Sequence, residues 1–351
     1  MFLSFVDGWD TPWQLLAFVA GLVIGIFCLV KFCDIFVNAS SAIAKKLHIS
    51  PMIIGLTIVA MGTSCPELAV SVSDSITTLI NGGNANVAIG NVVGSNICNI
   101  LIVIGFSAVF TPIIIKKSVC KKEFPFMLLI TALLVVFGCL FGINSLTGNH
   151  AVLRWEALVL VAFSVVYIFF LLYNAKKNPE EQGESTEVVD MSLWKAIILV
   201  VVGIAGIVFG GEAVVFGAKG IALSASDALH LNHDLAESLV GLTIVAVGTS
   251  LPELVTSVVA AKKGENEIAL GNVIGSNIFN IVFVLGISGV VNPLTTGSQI
   301  VVDLFVMLAS ALVVFFLSLR GKIGRKEGII LIILYAVYVG YLVTRTITAG
   351  V

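Results

Sequence analysis

Two polar blocks each occur twice in this otherwise apolar chain. The first block is Gly55 to Leu68 (GLTIVAMGTSCPEL), and its copy, Gly241 to Leu254 (GLTIVAVGTSLPEL), is identical at 12 of 14 positions. The second block, GNVVGSNICNIL at 90–101, recurs as GNVIGSNIFNIV at 271–282, with 9 of 12 positions identical. Each copy of the first block places a glutamate inside an apolar run. A charged site duplicated in this way predicts a binding site where two structural repeats meet.

The composition assigns the chain to the lipid bilayer. Hydrophobic residues make up 58% and charged residues 11%, with a mean hydropathy of +1.09, whereas soluble domains carry about 25% charged residues. Apolar stretches of about 17 to 25 residues predict an all-α integral membrane protein with ten transmembrane helices. The predicted spans are 14–36, 51–80, 87–110, 124–141, 152–174, 192–218, 238–260, 267–291, 301–318 and 328–347. The net charge of −2 gives no reason to expect nucleic acid as a partner.

The basic residues predict the orientation of the spans. Lysine and arginine in short loops gather on the cytoplasmic side, and 15 of the 19 basic residues fall in alternate loops, which places both termini outside. These 15 are Lys45, Lys46, Lys116, Lys117, Lys121, Lys122, Lys176, Lys177, Lys195, Lys262, Lys263, Arg320, Lys322, Arg325 and Lys326. The first apolar run has no basic residue before it, which predicts an N-out span and not a cleaved signal peptide. The expected location is the cell (inner) membrane, crossed many times.

An acidic segment divides the chain into two halves. Residues 1–177 hold five predicted spans and the first copy of each block, and residues 191–351 hold the other five spans and the second copies. Because each half has an odd number of spans, the second half must be inverted, related to the first by a pseudo-two-fold axis in the membrane plane. Residues 178–190 carry five acidic residues and no basic one, which predicts a solvated cytoplasmic linker.

The motif GTS-x-PE places a proline in the middle of one span in each half. Pro66 and Pro252 each remove a backbone donor and crowd the carbonyl four residues earlier, so each helix is expected to kink or unwind there. Freed carbonyls at membrane depth must be buried in protein or line a cavity. The polar side chains beside the breaks offer only oxygen, the donor that hard cations such as Ca²⁺, Na⁺ or Mg²⁺ prefer. They are Thr63, Ser64, Glu67, Thr249, Ser250 and Glu253.

The two glutamates need compensation for their charge. A charged side chain at the bilayer centre costs at least about 2.5 kcal/mol, and Glu67 and Glu253 both lie near the middle of their spans. A structural ion pair is one solution, but no Lys, Arg or His falls inside the second, third, seventh or eighth span. Bound cations are therefore the favoured explanation.

The second block adds hydroxyl and amide oxygens. Ser95 and Asn99 are four residues apart, as are Ser276 and Asn280, so each pair lies on one helix face. Their neighbours Asn96 and Asn277 lie about 100° away around the helix, and we expect them to bind nearby backbone. With the carboxylates and freed carbonyls, these groups can supply the six to eight oxygens that Ca²⁺ takes, or smaller sets for Na⁺.

The charge of the site indicates a mechanism. Two carboxylates are neutralised by one Ca²⁺, by monovalent cations or by protons. Because moving an empty, doubly negative site between the two membrane faces is costly, exchange of one cation load for another is favoured over uncoupled leak.

At this point the sequence resembles the calcium/cation antiporter superfamily, and specifically its prokaryotic sodium/calcium exchangers. The resemblance rests on GTS-x-PE followed by GN-x-x-GSN-x-x-N, present twice, and covers essentially the whole chain. It implies that calcium is held by Glu67, Glu253, Thr63 and Thr249. It implies sodium sites formed by the hydroxyls and backbone carbonyls of Ser64, Ser250, Ser95, Ser276, Ala60 and Ala246, with Asn99 and Asn280 facing each other at the centre. It also implies that the first and sixth spans slide across an eight-helix core.

One position bears on the driving ion. Potassium-dependent relatives carry aspartate where this chain has Asn280, which argues against potassium co-transport, and proton-coupled branches lack the GTS-x-PE form, which favours sodium over protons. A Ca²⁺/H⁺ antiporter stays the alternative. The ions are transported substrates, and neither a prosthetic group nor an obligatory protein partner is expected.

Two other classes of protein fit the sequence less well. A membrane-embedded acid/base enzyme could use two facing carboxylates, but no HExxH pattern or nucleophile with a histidine base is present, and the four histidines lie at loops or span ends. A passive cation channel is the second, although selectivity filters are usually rings contributed by repeated subunits or side chains. The chain is therefore predicted not to be an enzyme.

For two further acids, Asp34 and Asp74, the sequence favours or equally supports a role other than cation binding. Lys31 lies three residues before Asp34, so a local helical ion pair is at least as well supported as a role in ion uptake. Asp74 lies two turns beyond Glu67 near the outer end of its span, where a solvated or vestibule position is favoured over a third site carboxylate.

Overall fold

The computed structural model describes residues 11–81, 86–141, 150–177, 191–228, 246–296 and 298–348, so the predicted linker at 178–190 lies outside the described residues. The helices of the first half are α1 Thr11–Leu47, α2 Pro51–Ile54, α3 Ala60–Thr63, α4 Cys65–Asn81, α5 Asn86–Cys98, α6 Ile104–Phe110, α7 Lys117–Lys121, α8 Glu123–Val136 and α9 Arg154–Lys177. Its π-helical segments are π1 Gly55–Val59, π2 Asn99–Val103 and π3 Phe137–Phe141.

The described part of the second half has fewer elements. Its helices are α10 Leu193–Ala228, α11 Ala246–Thr249, α12 Leu251–Lys262, α13 Asn266–Phe279, α14 Gly286–Val291, α15 Ser298–Ser318 and α16 Arg325–Thr348, with a π-helical segment, π4, at Asn280–Leu285. Four short strands were not predicted from the sequence. They are β1 Ile113–Ile114, β2 His150–Val152, β3 Leu294–Thr296 and β4 Lys322–Ile323.

The described residues account for nine of the ten predicted spans in full. Eight helices are long and apolar enough to cross a membrane, and the segments Pro51–Thr63 and Cys65–Asn81 together form a ninth span that is bent by 49°. The remaining span, predicted at 238–260, is represented by α11 and α12, and residues 238–245 lie outside the described residues. The protein is an all-α integral membrane protein, as predicted.

Two helices are longer than the sequence predicted. α1 contains 37 residues and α10 contains 36, whereas their apolar stretches at 14–36 and 192–218 predicted 23 and 27. The reason is that the loss of apolar residues marks the edge of the bilayer and not the end of the helix, and α1 continues to Leu47, four residues before Pro51. At about 1.5 Å per residue each helix is roughly 55 Å long, well beyond the hydrocarbon core of about 30 Å.

The helices α1 and α10 pack tightly against each other in antiparallel orientation. Phe18 near the start of α1 lies against Gly217, and Phe32 later in α1 lies against Gly206, so residue numbers rise along one helix as they fall along the other. A Cβ atom at Gly206 would lie 2.0 Å from Cγ of Phe32, and one at Gly217 would lie 2.4 Å from the Phe18 carbonyl oxygen. Only glycine therefore permits this approach, which is the usual means of close helix contact in membranes.

The predicted helix breaks are present in both halves. Ser64 separates α3 from α4 with φ −84° and ψ 8°, and Ser250 separates α11 from α12 with φ −88° and ψ 1°. Pro66 and Pro252 follow two residues later, where they cannot donate to the preceding turn. The bend between α3 and α4 turns the polar end of α4 toward the interior of the protein, where Glu67 is fully buried.

Two antiparallel strand pairs connect the halves at opposite ends of the helices. β1 pairs with β4, and β2 pairs with β3. β1 precedes the span formed by α8 and π3, whereas β2 follows that span, so the two pairs must lie at opposite membrane faces. β1 and β3 each follow the third span of their own half, whereas β2 and β4 each lie between the fourth and fifth spans. Each pair joins one strand of the first kind to one of the second kind from the other half. That exchange of roles is the relation expected of inverted repeats.

Candidate cation site at the helix breaks

The two breaks and the two copies of the second block form one buried polar cluster. Glu67 and Glu253 are both 0% exposed. The other buried members are Thr63, Ser64, Ser95, Asn99, Ser250, Ser276 and Asn280. Ala60 and Ala246 begin the short helices α3 and α11, and Thr63 and Thr249 end them, so these four residues occupy matching positions in the two halves. The structure therefore gathers the predicted residues from both halves around the broken helices.

Hydroxyl groups join the carboxylates across the boundary between the halves. Ser64 Oγ donates to Glu253 Oε1 at 3.1 Å, from the first half to the second. Ser95 Oγ donates to Glu67 Oε1 at 3.1 Å, and Ser250 Oγ donates to Ser95 Oγ at 3.2 Å. Each carboxylate is thus connected, directly or through one serine, to the broken helix of the opposite half.

A second set of contacts surrounds Thr63. Its hydroxyl lies 3.5 Å from Ser276 Oγ and donates to Asn272 Oδ1 at 3.0 Å. Ser276 Oγ also donates to the Ala60 carbonyl oxygen at 3.5 Å. Three contacts among four oxygens therefore pack α3 against α13 of the other half, and one of these oxygens is the Ala60 carbonyl.

One oxygen of each glutamate is buried without a hydrogen-bond donor. Glu67 Oε2, Glu253 Oε2 and Asn280 Oδ1 have no hydrogen-bond partner among the residues that the structure describes. Leaving a buried acceptor unsatisfied costs about 1 to 3 kcal/mol, and more for a charged group. Among the described residues, no Lys, Arg or His forms an ion pair with either glutamate. This oxygen-rich arrangement fits a hard cation.

The asparagines of the second block form a ladder between the halves. Asn280 Nδ2 donates to Asn96 Oδ1 at 3.2 Å and to Ser95 Oγ at 3.5 Å. Asn96 Nδ2 donates to the Asn277 carbonyl at 3.2 Å, and Asn277 Nδ2 donates to the Val273 carbonyl at 2.7 Å. The prediction that Asn96 and Asn277 bind backbone is confirmed, although Asn96 reaches the opposite half.

The segments π2 and π4 begin at equivalent asparagines. π2 starts at Asn99 and π4 at Asn280. A π-helical turn inserts an extra residue into the helix and is frequent at functional sites. Both polar atoms of Asn99 are buried without a partner, so the direct approach of Asn99 to Asn280 stays a prediction.

Two asparagines that were not predicted from the sequence contact the glutamate-bearing helices. Asn91 Nδ2 donates to Ser71 Oγ at 3.1 Å and to the Glu67 carbonyl at 3.5 Å. Asn272 makes the same two contacts in the second half. The available signal was the asparagine after the first glycine of each second block, four residues before the serine and therefore on the same helix face.

Two acids outside the cluster make contacts other than those expected from the sequence. Asp74 Oδ2 accepts the backbone N–H of Ala88 at 3.1 Å, so this carboxylate caps the first turn of α5. Asp34 pairs with Lys263 at 2.6 Å, and no ion pair joins it to Lys31 in the described part of the chain. The local spacing was misleading because α12 brings a lysine from the other half to the same position.

A buried oxygen cluster between two inverted helical halves places the protein among membrane transporters built from inverted repeats. A family model described as sodium/calcium exchanger protein matches residues 17–173 and 195–344. The sodium/calcium exchanger MaX1 of Methanosarcina acetivorans is 35% identical over 355 residues, covering 90% of this chain and 96% of that protein. The inner membrane protein YrbG of Escherichia coli is 32% identical over 327 residues, covering 88% and 92%.

A solved structure agrees with these sequence matches. The sodium-calcium exchanger NCX_Mj, soaked with Na⁺ and Sr²⁺, superposes with a TM-score of 0.76 at 31% identity, covering 93% of this chain and 98% of that one. The chain belongs to the sodium/calcium exchanger family, which is a family of multi-pass membrane antiporters and not of enzymes.

Proposed function

We propose that this protein exchanges Ca²⁺ for Na⁺ across the membrane by alternating access at a site between the two glutamates. The observation that carries the proposal is that Glu67 and Glu253, one from each half, are both fully buried, and that one oxygen of each carboxylate has no donor within the described part of the chain. A dication between two such groups neutralises both charges. The similarity to the sodium/calcium exchangers MaX1 and NCX_Mj supports the same assignment.

The proposed ligands divide into two overlapping sets. Calcium is held by Glu67, Glu253, Thr63 and Thr249. Sodium occupies sites formed by the hydroxyls of Ser64, Ser250, Ser95 and Ser276 and the carbonyls of Ala60 and Ala246, with Asn99 and Asn280 at the centre. The hydrogen bond from Ser64 to the Glu253 carboxylate supports this assignment, because a hydroxyl that donates to a carboxylate leaves its lone pairs free for a cation. Ser95 donates to Glu67 but accepts from Ser250 and Asn280, so sodium must displace one of those two donors to bind there.

Exchange follows from the charge of the site. With no cation bound, the two carboxylates carry up to two negative charges in a region without a basic partner, and exposing that site to first one and then the other face is costly. Occupation by one Ca²⁺ or by monovalent cations removes the cost. The loaded carrier therefore changes state readily and the empty carrier does not, which couples the two fluxes.

The moving part in this proposal is the pair formed by α1 and α10. These helices contact each other along most of their length through the glycines described above, so they can shift as one unit against the remaining helices. Pro252 lies 3.6 Å from the position of a Cβ at Gly211, which places α10 directly beside the second helix break. A displacement of the pair would therefore cover or expose the site.

Sodium is the proposed driving ion, with protons as the alternative. The asparagine at position 280 limits the central charge to two glutamates, and its amide already donates to Asn96, which leaves no third carboxylate for potassium. We further propose two five-helix halves at 1–177 and 191–351 joined by a cytoplasmic linker at 178–190, and a cell (inner) membrane location with both termini outside. Reporter fusions at each terminus test this topology.

The function is tested by measuring ⁴⁵Ca²⁺ uptake into vesicles that contain the purified protein. Outward gradients of Na⁺, K⁺ or H⁺ are imposed one at a time, with an ionophore present to hold the membrane potential at zero. Uptake is expected with the Na⁺ gradient alone. Uptake that follows the H⁺ gradient and ignores Na⁺ would establish the proton-coupled alternative, and steady uptake without any counter-ion would reject antiport.

A further inference from the structure

Asn272 makes three hydrogen bonds that meet at the proposed calcium site. It lies in α13 and is 0% exposed. Its Nδ2 group donates to Ser257 Oγ at 2.9 Å and to the Glu253 carbonyl at 3.3 Å. Its Oδ1 atom accepts the hydroxyl of Thr63 at 3.0 Å. One amide thus connects the helix that carries Glu253 to the last residue of α3 in the opposite half.

The two donor contacts recur in the first half. Asn91 Nδ2 donates to Ser71 Oγ and to the Glu67 carbonyl, at 3.1 and 3.5 Å. Asn91 and Asn272 each lie four residues before Ser95 and Ser276, on the face that points at the site. In each half, therefore, the amide fixes the glutamate-bearing helix against the helix that supplies the serine.

The third contact determines where the lone pairs of Thr63 point. A hydroxyl has one proton and two lone pairs. The acceptors near the Thr63 proton are Asn272 Oδ1 at 3.0 Å, the carbonyls of Val59 and Ala60 at 3.2 and 3.4 Å and Ser276 Oγ at 3.5 Å, together with the Glu253 carboxylate. Of the four distances, that to Asn272 is the shortest. Donation to Asn272 directs the proton away from the Val59 and Ala60 carbonyls and leaves the hydroxyl oxygen as a ligand.

We infer that Asn272 is a positioning residue for calcium, acting through Thr63 and through the helix of Glu253 without binding the ion itself. This inference rests on the proposed function, and it assigns Asn91 the corresponding role toward Glu67 alone. Because the contact of Asn272 with Thr63 joins the two halves, the fit for calcium depends on how the halves are docked and not only on the ligands of each.

The test is a double-mutant cycle with Asn272→Ala and Thr63→Val, read out as sodium-driven ⁴⁵Ca²⁺ uptake into vesicles at a series of Ca²⁺ concentrations. In the otherwise unchanged protein, Asn272→Ala is expected to raise the KM for Ca²⁺ about tenfold, with the maximal rate within about twofold. In the Thr63→Val background, the same change is expected to alter the KM by less than about twofold, since the group it positions is gone.

Asn277→Ala is the matched control. Asn277 is an equally buried asparagine in the same helix, and its amide bonds the Val273 carbonyl of its own helix. This variant is expected to leave the KM for Ca²⁺ within about twofold of the unchanged protein. An equal rise in both asparagine variants would overturn the inference, as would a tenfold rise from Asn272→Ala that persists with Thr63→Val.

Ser257→Ala covers the case in which Asn272→Ala does not reach the membrane folded. It removes only the serine that holds the Asn272 amide, and it is expected to raise the KM about threefold, with no effect in the Thr63→Val background. An unchanged KM in the otherwise unaltered protein contradicts the inference. If the unaltered protein itself shows no sodium-driven uptake, the proposed function has failed, whereas active protein with an additive cycle rejects the role of Asn272 alone.

Discussion

The two copies of the repeated motif differ in only a few residues, yet they make different contacts. Ser64 of the first copy donates directly to Glu253, whereas Ser250 of the second copy donates to Ser95 and reaches Glu67 only through that serine. Asn272 is fully buried with three contacts, and Asn91 is half-buried with two. Nearly identical sequences therefore hold the site unequally. A carrier built from inverted halves is expected to be unequal in any one state, because its second state exchanges the roles of the halves.

The largest expected effect is on calcium uptake, and it tests whether the two carboxylates are equally necessary despite their different contacts. Glu67→Gln and Glu253→Gln should each reduce sodium-driven ⁴⁵Ca²⁺ uptake at least about 30-fold, because removing one partner of a buried charge contact costs about 2 to 5 kcal/mol and each 1.4 kcal/mol is about tenfold. Folded protein should remain in the membrane, measured by size-exclusion chromatography in detergent.

Glu156→Gln is the control for the loss of a buried carboxylate. Glu156 is also 0% exposed, but its Oε2 atom accepts the backbone N–H of Leu153 at the start of α9, away from the helix breaks. Uptake by this variant should stay close to that of the unaltered protein. Near-normal uptake by either Glu67→Gln or Glu253→Gln would reject the site assignment.

The second prediction compares the two serines of the helix breaks. A hydrogen bond to a charged group contributes about 1.5 to 3 kcal/mol and a neutral one about 0.5 to 1.5 kcal/mol, so Ser64→Ala should raise the half-saturating Na⁺ concentration about tenfold and Ser250→Ala about threefold. Ser288→Ala, which removes a buried hydroxyl without a partner in α14, should leave it unchanged. Equal effects at positions 64 and 250 would mean that the observed inequality does not influence transport.

The third prediction concerns two acids that occupy the same position when CDIFVNASSAIA at 33–44 is aligned with GEAVVFGAKGIA at 211–222, namely Asp34 and Glu212. Asp34 of α1 pairs with Lys263 of α12, whereas its counterpart Glu212 of α10 is exposed and forms no ion pair within the described residues. Because half-exposed ion pairs contribute about 0.2 to 1 kcal/mol, Asp34→Asn should change the exchange rate about two- to fivefold. Glu212→Gln should change it less. Exchanging the charges, with Asp34→Lys and Lys263→Asp together, should restore the rate if the pair acts as a tie between α1 and α12.

The smallest effect is on stability and arises in the turn between α12 and α13. Burial raises the pKa of the Glu265 carboxyl above its ordinary value, with a further increase from Glu267 and an opposing effect from Lys263. A raised folded-state pKa gives stability that is full below the ordinary pKa and is lost as the pH rises through the folded value. The corresponding first-half segment at 82–85 contains no acid.

Glu265→Gln is therefore expected to raise the melting temperature at pH 7.5 by about 1 to 2 °C and to have little effect near pH 4. The measurement is thermal unfolding of the detergent-solubilised protein at both pH values. Glu267→Gln is the control, since Glu267 pairs with Lys116 and its loss should lower the melting temperature. A lower melting temperature for Glu265→Gln at pH 7.5 would contradict the prediction.

Much of this arrangement could be predicted because it is encoded locally. Proline in the middle of an apolar stretch predicts a break wherever the rest of the protein packs, and both breaks are present at Ser64 and Ser250. Because the hydroxyls and the carboxylate belong to the same GTS-x-PE motif as the proline, the sequence also predicts that they lie at the depth of the break. The contacts of Asn272 with Thr63 and of Asp34 with Lys263 could not be predicted, because they depend on how two halves dock.

The length of the outer helices and the short strands were missed for related reasons. Hydropathy reports where the hydrocarbon ends, so it cannot show that α1 continues to Leu47. Strands of two or three residues have no period to detect, and each of these pairs with a distant partner in the other half. Contacts between distant segments could not be predicted from the sequence, whereas the residue types at the helix breaks could be.

The two strand pairs restrict how this molecule can open. One strand pair joins the two halves at one membrane face, and the second pair joins them at the opposite face. All four strands belong to connections between helices other than α1 and α10. A hinge motion that separates the two halves at one membrane face would have to break the strand pair at that face. The strand pairs do not include α1 or α10, and α1 is joined to α12 only by side-chain contacts such as that of Asp34 with Lys263. We therefore expect α1 and α10 to slide over a rigid body once these contacts are released.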